Sequence, residues 1–207
     1  METKKLKILE LFSGTESFSH IARELGYKVF TIDINQIFNP NLCKDILEVT
    51  VEDIPFKPDV VWASPPCTFF SVASIGKHWN KDHTPKTPQA EQGIKIIKKT
   101  IELIQELNPK FVIIENPRGK LRKLNLIPYP ITTACYCKYG DDRMKPTDLW
   151  NNIGFKGKMC KNGNPCHIAA PRGSKTGTQG LKNKIHRGIV PPALCLEILR
   201  EITQKNK

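Results

Sequence analysis

The chain has 207 residues, enough for one domain with a sizeable core. It carries 32 Lys and Arg against 20 Asp and Glu, a formal net charge of +12, which suits a polyanionic partner such as nucleic acid. No long apolar run and no signal-peptide pattern is present, so a cytoplasmic, soluble protein is expected, and seven cysteines in such a chain argue against a disulfide framework.

Residues 6–12 form an apolar, strand-like run entering the tight turn Ser13-Gly14-Thr15. Phe18, Ile21, Ala22 and Leu25 then recur at helical spacing, and Gly26 suits the position just past a helix end. A second strand is predicted over 28–33, closing on the carboxylate of Asp33. Strand, glycine turn, helix, strand and terminal acid is the layout of a nucleotide-type site, and also of a generic βαβ unit. Asp45-Ile46 ends a third element. The apolar run 59–62 leads into Ala63-Ser64-Pro65-Pro66-Cys67-Thr68-Phe69-Phe70-Ser71. A cysteine held by two prolines at the C-terminal end of a parallel strand stands where open α/β sheets bind ligands. An isolated Pro-Cys reads first as a buried structural thiol, and only the rest of the chain reverses that.

Residues 71–92 are polar, basic and proline-containing, with Trp79, His78, His83, Lys77, Lys81 and Lys86. A loop of that length is expected to be a lid or binding loop, with Trp79 or His78 available to stack on a base, although each residue singly reads as solvated surface. Ile94, Ile97, Ile101 and Ile104 mark an amphipathic helix. The strand 111–114 ends in Glu115-Asn116-Pro117-Arg118, again an acid at a strand terminus. Residues 131–137 read as another strand, the pattern breaks down from 139 to 186, and Pro191-Pro192 opens a helix carrying Leu194, Ile198 and Ile202. Within the irregular stretch, Cys137, Cys160, Cys166 and His167 are the chosen ligands of a tetrahedral Zn2+, the alternative being unmetallated thiols. The basic, hydroxyl-rich run 172–180 is either a phosphate or base contact loop or a connector.

Taken in order, Leu11-Phe12-Ser13-Gly14, Asp33, Asp45-Ile46, Pro65-Pro66-Cys67-Thr68-Phe69-Phe70-Ser71, Glu115-Asn116 and Val190-Pro191-Pro192 resemble successive motifs of the DNA cytosine-5 methyltransferases along nearly the whole chain. The resemblance implies an α/β, doubly wound, Rossmann-like methyltransferase fold that uses S-adenosylmethionine, built as a single domain over 1–207. It places Phe12, Ser13, Gly14, Asp33, Ile34, Asp45, Ile46 and Pro65 at the cofactor. Cys67 becomes the nucleophile toward C6 of cytosine, Glu115 the acid on the base edge, and Pro66, Asn116 and Lys145 complete the catalytic group. DNA is the expected partner, its target nucleotide flipped out of the stack. Ser71, Lys77, Trp79, Arg118, Arg172, Lys175 and Arg187 are the expected contacts to it.

The chain departs from the family pattern at several points. Thr15-Glu16-Ser17 replaces further glycines, Arg143, Lys145 and Thr147 replace a motif of two arginines, and Arg187-Gly188 replaces a Gly-Asn pair. Residues 137–186 are a reduced, irregular segment where typical members insert a target-recognition domain, so the chain most resembles small mobile-element or phage-type members. The same chemistry on RNA or a cytidine nucleotide, and an inactive nucleic-acid binder, are the other readings. The net charge argues against the free nucleotide.

Overall fold

In chain order the elements are β1 (Lys7–Leu11), α1 (Ser17–Glu24), β2 (Lys28–Asp33), β3 (Leu42–Cys43), β4 (Val60–Ala63), α2 (Ile75–His78), α3 (Pro88–Leu107), β5 (Phe111–Pro117), β6 (Ile131–Cys135), β7 (Pro146–Asn151), α4 (Lys184–Gly188) and α5 (Pro192–Lys205). They come from a computed structural model that describes residues 5–72, 74–168 and 183–206. Together the strands make one seven-stranded sheet in the order β3-β2-β1-β4-β5-β7-β6. The first five are parallel, and β7 runs antiparallel between β5 and β6. The winding reverses between β1 and β4, which creates a switch point at their C-terminal ends. The turn at Gly14 and the loop carrying Cys67 leave the sheet on either side of that point.

Both faces of the sheet are covered, which is why the central strands read as unbroken apolar runs. Ile8, Leu9, Leu11, Val60, Val61, Trp62 and Ala63 are all inaccessible to solvent. On one face α1 and α5 supply Phe18, Leu194 and Ile198, and Phe18 stacks on Trp62 with ring centroids 4.4 Å apart. On the other, Ile97, Ile101 and Ile104 of α3 pack over Leu9, Val61 and Val112. Thr87 caps α3 by accepting a hydrogen bond from the Ala90 N–H, and Pro88 fills the first helical position, whose N–H has no helical partner to lose.

Three sequence expectations are corrected here. The irregular stretch 137–186 contains β7, and β6 ends at Cys135, so Cys137 sits in a 3₁₀ turn after it. The polar stretch 71–92 is no open loop: it holds α2 and the first turn of α3. Trp79 and His78 are buried within it, Trp79 donating Nε1–H to the Phe69 carbonyl at 2.6 Å and His78 bonding Thr87 through Nδ1 at 2.7 Å. With its polar edge used and its ring against Phe70, Trp79 is core and cannot stack on a base. Among the described residues no helix is long and apolar enough to cross a membrane.

Candidate active site

The turn after β1 is built from left-handed backbone. Phe12, Gly14 and Glu16 have φ of 58°, 45° and 54°. Glycine tolerates this freely, and side-chain-bearing residues adopt it at a cost of about 1 kcal/mol each. Asp33 holds the turn down, one carboxylate oxygen accepting from the Gly14 N–H and the other from the Asn35 N–H, both at 2.8 Å. A carboxylate retains further acceptor capacity after two such bonds, so a ribose hydroxyl can still be met there. Ser13 Oγ is buried with no hydrogen-bond partner among the described residues. Just beyond β2, Ile34 and Ile37 are 66% and 84% exposed, an apolar surface suited to the face of an adenine ring. Ile37 was not anticipated. Asp45 is half-buried and accepts from the Leu47 N–H at 3.0 Å. Ile46 is a core side chain, 5% exposed, so only its backbone can face a cofactor. These features fit S-adenosylmethionine: a close-approach turn, an orphaned hydroxyl, an acid and an apolar shelf.

Across the switch point, the Cys67 loop is held from three sides. Its carbonyl accepts from the N–H groups of Phe70 and Ser71, both at 3.0 Å, closing a turn directly after the thiol. Asn116, fully buried at the end of β5, donates Nδ2–H to the Pro65 carbonyl at 2.8 Å. Asn116 therefore acts on the loop, a positioning role, and its own Oδ1 is buried without a partner among the described residues. Pro65 is likewise buried and engaged through its carbonyl, whereas Pro66 is exposed next to the thiol. Gly119 approaches so closely that a Cβ there would lie 2.3 Å from the Phe70 carbonyl oxygen, which also accepts from the Lys120 N–H at 2.7 Å.

Glu115 is buried in β5, and Tyr136 donates its phenolic hydrogen to the carboxylate at 3.0 Å. Burial pushes the Glu115 carboxyl above its ordinary range, while the Lys145 ammonium and the Tyr136 hydroxyl pull it back. Burial also pushes the Cys67 thiol up, with Glu115 adding to the rise and Lys145 and Arg187 opposing it. Lys145 is lowered by desolvation against the attraction of Glu115 and Cys67. Lys145 thus acts on both the thiol and the carboxyl, and the carboxyl acts on the thiol, which sets the three groups within electrostatic reach at the ends of β4, β5 and the approach to β7. Lys145 Nζ also donates to the Arg187 carbonyl at 2.8 Å and lies 4.4 Å from the centre of the Tyr136 ring. Arg143 pairs with Asp141 and donates to the His186 and Ile189 carbonyls, so the altered basic motif ties the returning chain near α4 to the site. Tyr136 escaped sequence reasoning: its only signal is its place just past β6, between two cysteines.

Of the expected nucleic-acid contacts, Lys77 and Arg118 are exposed, Ser71 and Arg187 are half-buried, and Arg172 and Lys175 lie outside the described residues. Ser71 bridges to Gly119 beside the Cys67 loop. On the far side of β6, the ligand atoms of Cys137, Cys160, Cys166 and His167 all lie within 4.8 Å of one another.

Comparison with known proteins identifies the family. Residues 6–125 match the family described as C-5 cytosine-specific DNA methylase. A protein of Frog virus 3 (isolate Goorha) named "Probable DNA (cytosine-5)-methyltransferase" is 32% identical over 94% of this chain and 99% of its own length. The type II methyltransferase M.CviJI of Paramecium bursaria Chlorella virus IL3A is 28% identical over 58% of this chain, which spans only 32% of that protein. Among solved structures, the Entamoeba histolytica methyltransferase EhMeth superposes with a TM-score of 0.56 at 14% identity, covering 75% of this chain and 56% of its own, a likeness of fold. The chain belongs to the C-5 cytosine-specific DNA methylases, enzymes that use S-adenosylmethionine.

Proposed function

We propose that the protein methylates C5 of cytosine in DNA through a covalent bond between Cys67 and C6 of the base. C5 of cytosine is too weak a nucleophile to be methylated directly. Addition of a thiolate at C6 makes C5 enamine-like, and a thiol suits the step because its anion is accessible near neutral pH. The end of β5 carries the reading: there Asn116 grips the Cys67 loop through the Pro65 carbonyl beside a buried Glu115 that meets Tyr136, and Lys145 acts on both thiol and carboxyl. Glu115, raised by burial, is suited to hold a proton toward N3 of the ring while accepting from the exocyclic amine, which selects cytosine and neutralises charge as the thiolate adds. Lys145 is placed to stabilise the thiolate. Asn116 and Gly119 keep the sulfur in position, and the turn at Phe12, Ser13 and Gly14 with Asp33 holds the cofactor. S-adenosylmethionine supplies an electrophilic methyl group. Loss of the C5 proton and cleavage of the Cys67–C6 bond then restore the aromatic base and the thiolate.

The net charge of +12 and the exposed Lys77 and Arg118 support a phosphate backbone as the surface met. We read 1–207 as a single methyltransferase unit acting on DNA inside a cell, with the part of 137–186 that follows β7 serving in place of a target-recognition domain. The test offers cofactor with a labelled methyl group to DNA, RNA and dCMP in parallel, and DNA containing 5-fluorocytosine to trap the adduct. Label in DNA and a trapped complex that Cys67→Ser cannot form are expected. Label in RNA or dCMP alone reassigns the substrate, and turnover by Cys67→Ser refutes the covalent route.

A further inference from the structure

We propose that Cys137, Cys160, Cys166 and His167 bind one structural Zn2+ that fastens the segment replacing the recognition domain to the end of β6. The four donor atoms come from two separate pieces of chain, the 3₁₀ turn after β6 and the knuckle 160–167, yet lie within 4.8 Å of one another. The Cys160 and Cys166 sulfurs are 3.4 Å apart, and His167 Nδ1 is 3.8 and 3.7 Å from them. A tetrahedron around zinc, with Zn–S of about 2.3 Å and Zn–N of about 2.1 Å, has edges of roughly 3.6 to 3.8 Å. The triangle of Cys160, Cys166 and His167 therefore already has about the size of one face of the occupied site, with Cys137 Sγ within 4.8 Å of each corner. The sulfur pair is too far apart for a disulfide bond of about 2.05 Å, and a disulfide leaves the third thiol and the imidazole unexplained.

The surrounding chain supports the same conclusion. None of residues 156–166 is buried, so no apolar core holds the knuckle in place. A short segment of that kind needs a covalent or metal staple. Backbone contacts bring it to the right place: Lys158 O accepts from the Cys135 N–H at 2.9 Å, and a Cβ on Gly157 would lie 2.4 Å from the Thr133 carbonyl oxygen. Gly163, at φ 89°, lets the knuckle turn back. Asn164 donates Nδ2–H to Cys160 Sγ at 3.5 Å, the kind of outer contact that supports a metal-bound thiolate. His167 is buried, its Nε2 has no partner among the described residues, and its Nδ1 faces the two thiols. Three sulfurs and one nitrogen select zinc over harder cations and leave no open coordination position, which makes the site structural. Because the ion closes the chain at Cys166-His167, it fixes the point from which 169–182, with Arg172 and Lys175, departs.

The test uses the full chain purified under reducing conditions. Elemental analysis should find about one zinc per chain, and Co2+ exchanged into the protein should give the intense thiolate charge-transfer and d–d bands of tetrahedral coordination. Cys160→Ser and Cys166→Ser should weaken Co2+ binding by about 100-fold or more. His167→Cys, which offers four sulfurs, and Cys43→Ser, which removes an exposed thiol elsewhere, should keep it. Chelator should lower the Tm of the wild type and of Cys43→Ser. Should the serine variants fail to fold, the wild-type stoichiometry and cobalt spectrum decide the matter. Less than about a tenth of an equivalent of metal after zinc is offered, an octahedral cobalt spectrum, a Cys160–Cys166 disulfide in the purified protein, or unchanged binding in Cys160→Ser each overturns the proposal.

Discussion

Replacing Asn116 by Ala separates the positioning of Cys67 from the stability of the fold. The substitution deletes the bond from Asn116 Nδ2 to the Pro65 carbonyl, leaving that buried oxygen without its donor. An unsatisfied buried carbonyl costs about 1–3 kcal/mol. The same substitution removes the orphaned Asn116 Oδ1, which returns on the order of 1 kcal/mol. The net loss is about 0–2 kcal/mol, a fall in Tm of at most roughly 8 °C for a chain of this length. The effect on turnover is larger, because Pro65 lies two residues from the nucleophile and a misplacement of about 1 Å costs about 100-fold in rate. Steady-state methyl transfer should therefore show kcat down by about 10- to 100-fold, with KM for the cofactor nearly unchanged, since the Gly14 turn is untouched. Trapping on 5-fluorocytosine DNA should slow in parallel. Leucine at the same position, which restores bulk without a donor, should recover Tm more than kcat. Activity that tracks only the folded fraction, or a kcat equal to wild type, refutes a positioning role.

In Lys145→Met the charge that lowers both Cys67 and Glu115 is gone, so both groups titrate higher. The rate rises with pH as Cys67 ionises and falls as Glu115 loses its proton, so the whole bell-shaped profile of kcat/KM should move toward alkaline pH; an unmoved profile excludes the pairing. Gly119→Ala sets a Cβ 2.3 Å from the Phe70 carbonyl oxygen, and calorimetry should find a loss of about 1–3 kcal/mol together with slower adduct trapping, whereas full stability and activity would show that the two segments part freely. Glu10 accepts from the Ser19 N–H inside the core, and burial lifts its carboxyl from 4.5 to about 7. A group raised on folding contributes stability that is full below its unfolded pKa and is lost as pH rises through the folded one. The wild-type stability should therefore fall between about pH 4.5 and 7, by up to about 3 kcal/mol, with Tm falling in step, while Glu10→Gln stays flat; parallel profiles refute the assignment.

The parts of this fold that are legible in the sequence share a cause. β1, β4 and β5 are buried on both faces, so composition alone marks them, and the candidate site residues stand at strand ends or just past them, where an unusual residue type stands out against an apolar run. Gly14 and Cys67 follow β1 and β4, Asp33 closes β2, and Glu115 lies near the end of β5. β7 was invisible for the opposite reason. It begins on a proline and carries Asp148 at its centre, where the carboxylate is fully buried and met by Arg122 and by the Thr133 hydroxyl. A strand whose buried positions are filled by a satisfied ion pair has no apolar period to read. Trp79 misled in the reverse sense: its neighbours are polar, and only the fold shows that α2 turns it inward onto Phe70.

The same reasoning shows what takes up the positions at which the chain departs from the family pattern. One lysine at the start of β7 takes the place of the basic pair, and its ammonium is shared among the Glu115 carboxylate, the Cys67 thiol, the Tyr136 ring and the Arg187 carbonyl. A compact charge on a flexible stem can reach scattered partners, where a planar guanidinium is bound to its fixed fork geometry. The adjacent Arg143 is committed in that way, to Asp141 and to the backbone ahead of α5. The two cations therefore divide the work: Arg143 fixes the returning chain, and Lys145, held against that chain, sets the charge at the nucleophile. On this division, Arg143→Lys should loosen the 186–189 carbonyls and lower Tm while leaving the pH profile in place, the converse of Lys145→Met.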